Sequence, residues 1–353
     1  MNKNFWKGKR VLVTGDTGFK GSWLSLVLDM FGAKIQGISS SKFNGNAEFY
    51  SSLELNKISK TVDCDIRNFN EVQSAVCAFD PEIVFHLAAQ PLVRYSYKDP
   101  VTTYEVNVMG TMSILEAVKA SPSVKSVVII TTDKCYENNE WEWGYRENDP
   151  LGGHDPYSSS KACAEILIKS YQKSFFNEES TSPGLSSVRA GNVIGGGDFS
   201  EDRLIPDLYR SILANEKLLL RNPLATRPWQ HVFEPLSGYL MVAEKLFESG
   251  SNENDCWNFG PNHSDIRTVQ EITEIFSTSW GIEDIIDFDL TTQPHEAKSL
   301  SLDISKALFK LNWSPQWGLE QAIDKTVFWY KSYFEQKDML KISKQQIEEY
   351  YQH

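Results

Sequence analysis

The chain has 353 residues, 41% hydrophobic and 23% charged, with a formal net charge of −12; it is long enough for two lobes and has the composition of a fully folding globular protein. An acidic balance without a dense Lys/Arg cluster excludes a nucleic-acid partner, whose binding rests on cations that neutralise phosphates, but leaves room for a small anion in a locally positive pocket. Five cysteines, Cys64, Cys77, Cys135, Cys163 and Cys256, show neither CxxC nor Cys/His ligand spacing, which points to reduced thiols in a cytoplasmic protein and to no metal.

The amino-terminal "MNKNFWKGKRVLVTG" contains only a few consecutive apolar residues, too short a run for a signal segment or a membrane span. A strand is expected over 10–15 ("RVLVTG"), then a helix over 18–31 and strands over 33–39, 61–66 and 82–88. A helix over 100–120 precedes a strand over 126–132, and a helix over 155–176 precedes a strand over 185–195. Alternating short β-branched runs and helical stretches predict an α/β fold with a Rossmann-like doubly wound parallel sheet. Beyond "GNVIGGGD" the pattern loosens into a helix near 205–215, a strand in "KLLLRN", an aromatic-rich "RPWQHVFEP" and helices near 269–280 and 319–334. That pattern predicts a smaller C-terminal α+β substrate lobe, ending in a polar helical tail, "ISKQQIEEYYQH".

Gly15, Gly18 and Gly21 stand in the spacing TGxxGxxG, after a strand and at the opening of a helix whose apolar face runs through Leu24, Leu28 and Phe31. Glycines there let the chain turn tightly and approach a pyrophosphate, whose charge a helix N-terminus stabilises, so the loop predicts dinucleotide binding. The acid usual at the end of the second strand is replaced by Ser39, Ser40, Ser41 and Lys42, which leaves NAD or NADP open on these residues. Asp65, after the third strand, is placed either to accept from an adenine amino group or simply to be solvated. Asp16 would repel a pyrophosphate unless its side chain points away.

"TTDKCYEN" (131–138) follows the apolar "SVVII" and sets Thr132, Asp133 and Lys134 side by side at a strand end. Tyr157 and Lys161, four residues apart in "DPYSSSKACAE", lie on one helix face. A neighbouring ammonium moves a phenol toward ionisation, so the pair makes a base. Thr132 can bond the oxygen at the reacting carbon, and Asn107 in "VNVMGT" can hold a water or backbone group in the site.

Several stretches together resemble the extended short-chain dehydrogenase/reductases, and within them the nucleotide-sugar 4,6-dehydratases of the CDP-glucose group. They are "FWKGKRVLVTGDTGFKGSWLSL", "FHLAAQPLVRYSY", "TTDKCYENNEWEWGYRENDPLGGHDPYSSSKACAE", "VRAGNVIGGGDF", "DRLIPD" and "RNPLATRPWQHVFEPLSGYL". The resemblance implies NAD as cofactor, CDP-glucose as substrate and a homodimer built on the helices over 100–120 and 155–176. It implies cofactor contacts from Thr14, Gly15, Thr17, Gly18, Phe19, Lys20, Gly21, Asp65, Ile66, Leu87, Ala88, Ala89, Asn107, Tyr157 and Lys161. The implied catalytic set is Thr132, Asp133, Lys134, Tyr157 and Lys161, with Gln90, Thr132, Asn192, Arg203, Arg227 and Lys298 at the substrate. Residues 1–190, with segments near 228–260 and 295–310, form the dinucleotide domain on this reading; 191–227 and 261–353 form the substrate domain.

The reaction implied is oxidation at the sugar C4, loss of water across C5 and C6, and hydride return to C6. Asp133 fits the acid for the departing hydroxyl. Lys134 stands where dehydratases of dTDP- or GDP-sugars carry glutamate, as in the CDP-glucose group. The group more often has histidine where this chain has Asp16, a departure that bears on cofactor affinity rather than reaction type. A 4-epimerase would share the glycine loop, Tyr157 and Lys161 but has no use for Asp133, and an idle dinucleotide-binding regulator would have no use for the set. Arg189 is a further phosphate candidate, His231 and His295 are candidates for the sugar, and Trp141, Trp143, Trp229 and Trp257 either wall the pocket or fill the core.

Overall fold

The computed structural model describes residues 1–43, 47–177, 182–289 and 299–352. In chain order the first half comprises β1 (Arg10–Thr14), α1 (Phe19–Met30), β2 (Lys34–Ser39), α2 (Ala47–Ser52), β3 (Lys60–Asp63), α3 (Phe69–Phe79) and β4 (Ile83–His86). Next come α4 (Val93–Lys98), α5 (Pro100–Tyr104), a π-helical stretch Glu105–Gly110, α6 (Thr111–Lys119), β5 (Ser126–Ile130), α7 (Pro156–Ser174) and β6 (Gly184–Ala190). The second half holds β7 (Val193–Ile194), α8 (Leu204–Ala214), β8 (Leu218–Leu220), β9 (Thr226–Arg227), β10 (Gln230–His231), α9 (Phe233–Ser249) and β11 (Asp255–Phe259). It closes with β12 (Arg267–Thr268), α10 (Val269–Trp280), β13 (Ile286–Phe288), α11 (Ser305–Leu311), α12 (Leu319–Phe334) and α13 (Met339–Tyr350).

Seven strands form one parallel sheet in the order β11-β6-β5-β4-β1-β2-β3. The chain leaves β1 toward β2 and β3, then crosses back to β4, so the order reverses between β1 and β4. A crevice opens outside the carboxyl ends of the strands at such a reversal. Val11, Val13, Phe85, Val128 and Ile130 pack on one face of the sheet, and Leu12, Val84, Val127 and Ile129 on the other. The period of two thus feeds two cores from the same strands, which is why those strands read as unbroken apolar runs.

The helices that carry the site are capped as their sequences dictate. Asp99 accepts from the Thr102 N–H at 3.0 Å before Pro100 opens α5, and Asp155 accepts from the Ser158 N–H at 2.9 Å before Pro156 opens α7. Each proline occupies a first-turn position where its missing N–H costs nothing.

Four differences from the sequence reading stand out. The helix expected over 100–120 runs as α5, the π stretch and α6. The strand expected over 185–195 breaks at Gly191 and Asn192 into β6 and β7. The seventh strand, β11, was not expected, because "DCWNF" is short and interrupted by polar residues. Its Asn258 is buried yet satisfied, accepting from Tyr136 Oη at 2.8 Å and donating to the Tyr145 carbonyl at 2.8 Å. The carboxy-terminal segment is helical as expected but packed: α13 buries Ile347 and Tyr350, and Tyr350 Oη donates to Glu234 at 2.7 Å. Among the described residues no helix is long and apolar enough to cross a membrane.

Candidate active site

The glycine loop lies at the sheet's reversal point. Gly15 has φ of +72°, and a Cβ there would lie 2.8 Å from the Ala88 nitrogen; at Gly21 it would lie 2.0 Å from the Gly15 carbonyl oxygen. The positive φ at Gly15, and the close backbone approach at both positions, leave no room for a side chain. The β4 exit closes against the loop, with the Leu87 N–H donating to the Thr14 carbonyl at 3.1 Å and the Ala88 N–H to Thr14 Oγ1 at 3.2 Å. This cradle, with the N-terminus of α1 behind it, fits the diphosphate of a dinucleotide.

Asp16 does point away from the cradle. Its carboxylate accepts from Ser39 Oγ at 2.7 Å and Thr61 Oγ1 at 2.5 Å, tying the loop to the ends of β2 and β3, and burial pushes its pKa up. At those strand ends Asp63 accepts from the Ser41 N–H at 2.9 Å and Ser41 Oγ at 2.7 Å. Asp65 is engaged by Arg67, at 2.6 Å from its guanidinium and 3.0 Å from its N–H, and these bonds hold the carboxyl below the usual range. Ile66 is buried against Gly110, and Asp65 lines a cleft with Ser41 and Asp63, its carboxylate already partnered.

Thr132 stands at the end of β5 and caps the short turn Asp133–Cys135, accepting from the Lys134 N–H at 3.3 Å and donating to Asp133 Oδ1 at 3.0 Å. Asp133 is 2% exposed, and its Oδ2 has no hydrogen-bond partner among the described residues. Burial pushes its pKa up, while Lys134, the Thr132 bond, Arg227 and Lys20 pull it down. A buried carboxyl with one free oxygen is poised to carry a proton.

Tyr157 and Lys161 stand one turn apart on α7. Lys161 Nζ donates to the Ile130 carbonyl at 3.2 Å, fixing α7 to the same strand end, and burial lowers its pKa to about 8. Burial pushes Tyr157 up to about 12, opposed by its hydrogen bond with Thr132. Asn107 sits in the π stretch, a distortion that recurs at functional sites. It accepts from the Gln90 N–H at 2.9 Å and donates to the Gln90 carbonyl at 3.1 Å and Ser160 Oγ at 2.9 Å. Asn107 thus clasps the Gln90 backbone, and Gln90 is positioned by that clasp. Ser96 and Ser160, which the sequence reading did not single out, are part of the same scaffold: Ser96 Oγ accepts from the Tyr157 N–H at 3.1 Å.

The remaining sequence candidates divide. Arg203 pairs with Asp198 at 2.9 Å, and buried Arg227 donates to the Thr226 carbonyl at 2.8 Å. Asn192 is half-buried, and its carbonyl accepts from the Gln230 N–H at 3.0 Å. Arg189, by contrast, is an interior residue: it pairs with Glu165 at 2.7 Å and donates to Tyr136 Oη at 2.6 Å, a tie across β6, α7 and the loop after β5. His231 is buried against Phe233 and Trp317, and burial drops its pKa to about 3. Trp229 and Trp257 are core residues, Trp141 is half-buried and Trp143 is 59% exposed. Lys298 and His295 lie outside the described residues.

A family model described as GDP-mannose 4,6 dehydratase matches residues 12–326. The chain is 50% identical over 353 residues to CDP-glucose 4,6-dehydratase of Salmonella typhimurium, covering 99% of this chain and 98% of that protein. The structure of dTDP-glucose 4,6-dehydratase from Bacillus anthracis in complex with NAD is 27% identical, with a TM-score of 0.79 and coverage of 94% of this chain and 100% of that one. UDP-glucose 4-epimerase of Thermotoga maritima shares the fold, with a TM-score of 0.81 at 20% identity over 92% of this chain and 99% of that one. The chain belongs to the GDP-mannose 4,6-dehydratase family, within the extended short-chain dehydrogenase/reductases.

Proposed function

We propose that the protein is an NAD-dependent CDP-glucose 4,6-dehydratase, converting CDP-D-glucose to CDP-4-keto-6-deoxy-D-glucose and water. The observation that carries this reading is the buried Asp133, next to Lys134 and joined through Thr132 to the Tyr157–Lys161 pair. Oxidation alone needs only the last two; an acid beside them serves the loss of water. The 50% identity to a CDP-glucose 4,6-dehydratase over almost the whole chain supports the sugar nucleotide.

The loop around Gly15, Gly18 and Gly21 would hold NAD, which would supply the hydride chemistry between the sugar C4 and C6. Tyr157 takes the C4 hydroxyl proton; burial raises its pKa, so the phenolate depends on the positive charge that Lys161 and an oxidised nicotinamide would place beside it. Thr132 orients the C4 oxygen. The resulting ketone acidifies C5, and Asp133 protonates the departing C6 hydroxyl, so that water leaves and a C5=C6 double bond forms. Lys134 handles the C5 proton, directly or through a water, taking it as water leaves and returning it to C5 as C6 receives the hydride. Arg203, Arg227, Asn192 and Gln90 serve the sugar nucleotide.

On this reading 1–190 and segments near 228–260 and 295–310 serve the cofactor, and 191–227 and 261–353 the substrate. The protein works as a cytoplasmic homodimer through α5–α6 and α7, whose exposed Val101, Met109 and Ile166 support a covered face. Incubation of the purified protein with a panel of nucleotide-diphosphate glucoses tests the assignment: CDP-glucose should give the 4-keto-6-deoxy product fastest. A C4 epimer, or no keto product from CDP-glucose, would overturn it.

A further inference from the structure

Lys20 enters the sequence reading only as a member of the glycine loop, yet its surroundings belong to the substrate side. Lys20 and Trp23 are three residues apart on α1 and so share a face. Trp23 Nε1 donates to the Gly196 carbonyl at 2.9 Å, which seats that face on the glycine run after β7. Two residues on, Asp198 holds Arg203 at 2.9 Å, just before α8 begins. Lys20 lies on that same face, and both Arg203 and Asp198 act on its charge. The β2 and β3 ends, where Ser41 and Asp63 mark the opposite end of the cofactor cleft, lie elsewhere.

Lys20 is half-buried and makes no hydrogen bond or ion pair among the described residues. Asp198 is already taken by Arg203. Burial lowers the pKa of Lys20 to about 8, with Arg203 and Lys161 adding to the fall and Asp133 and Asp198 opposing it. Two cations thus share a desolvated corner with two carboxylates, of which Asp198 is engaged by Arg203 and Asp133 is pushed by burial toward its neutral form, an arrangement that a multiply charged anion relieves.

We infer that Lys20 and Arg203 form a two-cation clamp on the diphosphate of the nucleotide sugar, so that Lys20 is a substrate-binding residue rather than a cofactor contact. The inference rests on the proposed reaction for its substrate class. The backbone N–H groups of the cradle would meet the cofactor's own diphosphate, which would leave the Lys20 side chain for the second ligand. The clamp joins the helix behind the cofactor cradle to the loop leading into α8, so that the substrate diphosphate bridges both lobes.

Calorimetric titration of the full-length wild type, Lys20→Met, Lys20→Gln and Lys20→Arg with CDP, cytidine and NAD tests this. Lys20→Met and Lys20→Gln should weaken CDP roughly tenfold to hundredfold, the loss of one charge-assisted bond. Cytidine and NAD binding should stay at wild-type strength, and Lys20→Arg should recover most of the CDP affinity. Unchanged CDP affinity in both neutral variants would overturn the clamp, as would a loss that falls on NAD instead. A wild type that binds CDP through Lys20 but makes no keto product would sink the proposed reaction and leave the clamp standing.

Discussion

Thr132 donates to one oxygen of Asp133 at 3.0 Å, and the other oxygen of that buried carboxyl meets no partner among the described residues. The bonded oxygen fixes the orientation of the group, and the free one is open to carry a transferable proton, which burial favours. Asp133→Asn keeps the shape and removes the acid, so turnover should fall roughly hundredfold to ten-thousandfold. Rapid-scan absorbance should show reduced nicotinamide building up, because oxidation at C4 survives. Near-normal turnover would contradict the role.

Lys134→Ala should give the same build-up, since it acts after the ketone forms, whereas Tyr157→Phe should abolish both turnover and the absorbance change. The contrast between the two variants separates the groups that serve oxidation from those that serve elimination. A Lys134→Ala enzyme with full turnover would remove Lys134 from the mechanism.

Lys161 is held at a cost. Its pKa falls from 10.5 to about 8 on folding, so the folded state resists the charged form. The penalty is present in full below pH 8 and vanishes as pH rises to 10.5, because over that window only the unfolded chain still binds the proton. Replacing it by methionine removes roughly 3 kcal/mol of penalty and forfeits about 1 kcal/mol for the bond to the Ile130 carbonyl. Lys161→Met should therefore be more stable to urea at neutral pH by on the order of 2 kcal/mol, with the gain shrinking above pH 8, while activity is lost. A gain that does not depend on pH would contradict this origin.

Gly21→Ala should abolish NAD binding with little loss of helix content. Its Cβ would fall 2.0 Å from the Gly15 carbonyl oxygen, which forces the cradle open while leaving α1 a good helix. Fluorescence titration with NAD reads the effect, and wild-type affinity would show that the loop accommodates the methyl group.

Much of this site is legible in the sequence because its parts are local. Gly15, Gly18 and Gly21 follow β1 directly, Thr132 to Lys134 end β5, and Tyr157 and Lys161 need only one turn of α7. Long-range relations are not legible in that way. Nothing in "VRAGN" tells that Arg189 belongs to Glu165 rather than to a phosphate, and nothing in "GDTGF" tells that Asp16 bonds Ser39 and Thr61 instead of facing the cradle. Strand β11 was hidden for the same reason: Asn258 looks out of place in a core strand until Tyr136 and Tyr145 are brought to it.

The Arg189–Glu165 pair, at 3% side-chain exposure on each partner, gives a structural prediction. Glu165→Leu strands a buried guanidinium and should cost about 3–5 kcal/mol, whereas Glu165→Leu with Arg189→Met should recover a large part of that loss. Urea unfolding of the two variants measures the difference, and equal stabilities would contradict the pairing.

The most direct test of the account uses CDP-glucose deuterated at C4. Hydride taken from C4 and returned to C6 within one site predicts deuterium in the methyl group of the keto product. A product methyl group without label, formed under conditions that prevent exchange with free coenzyme, would contradict it.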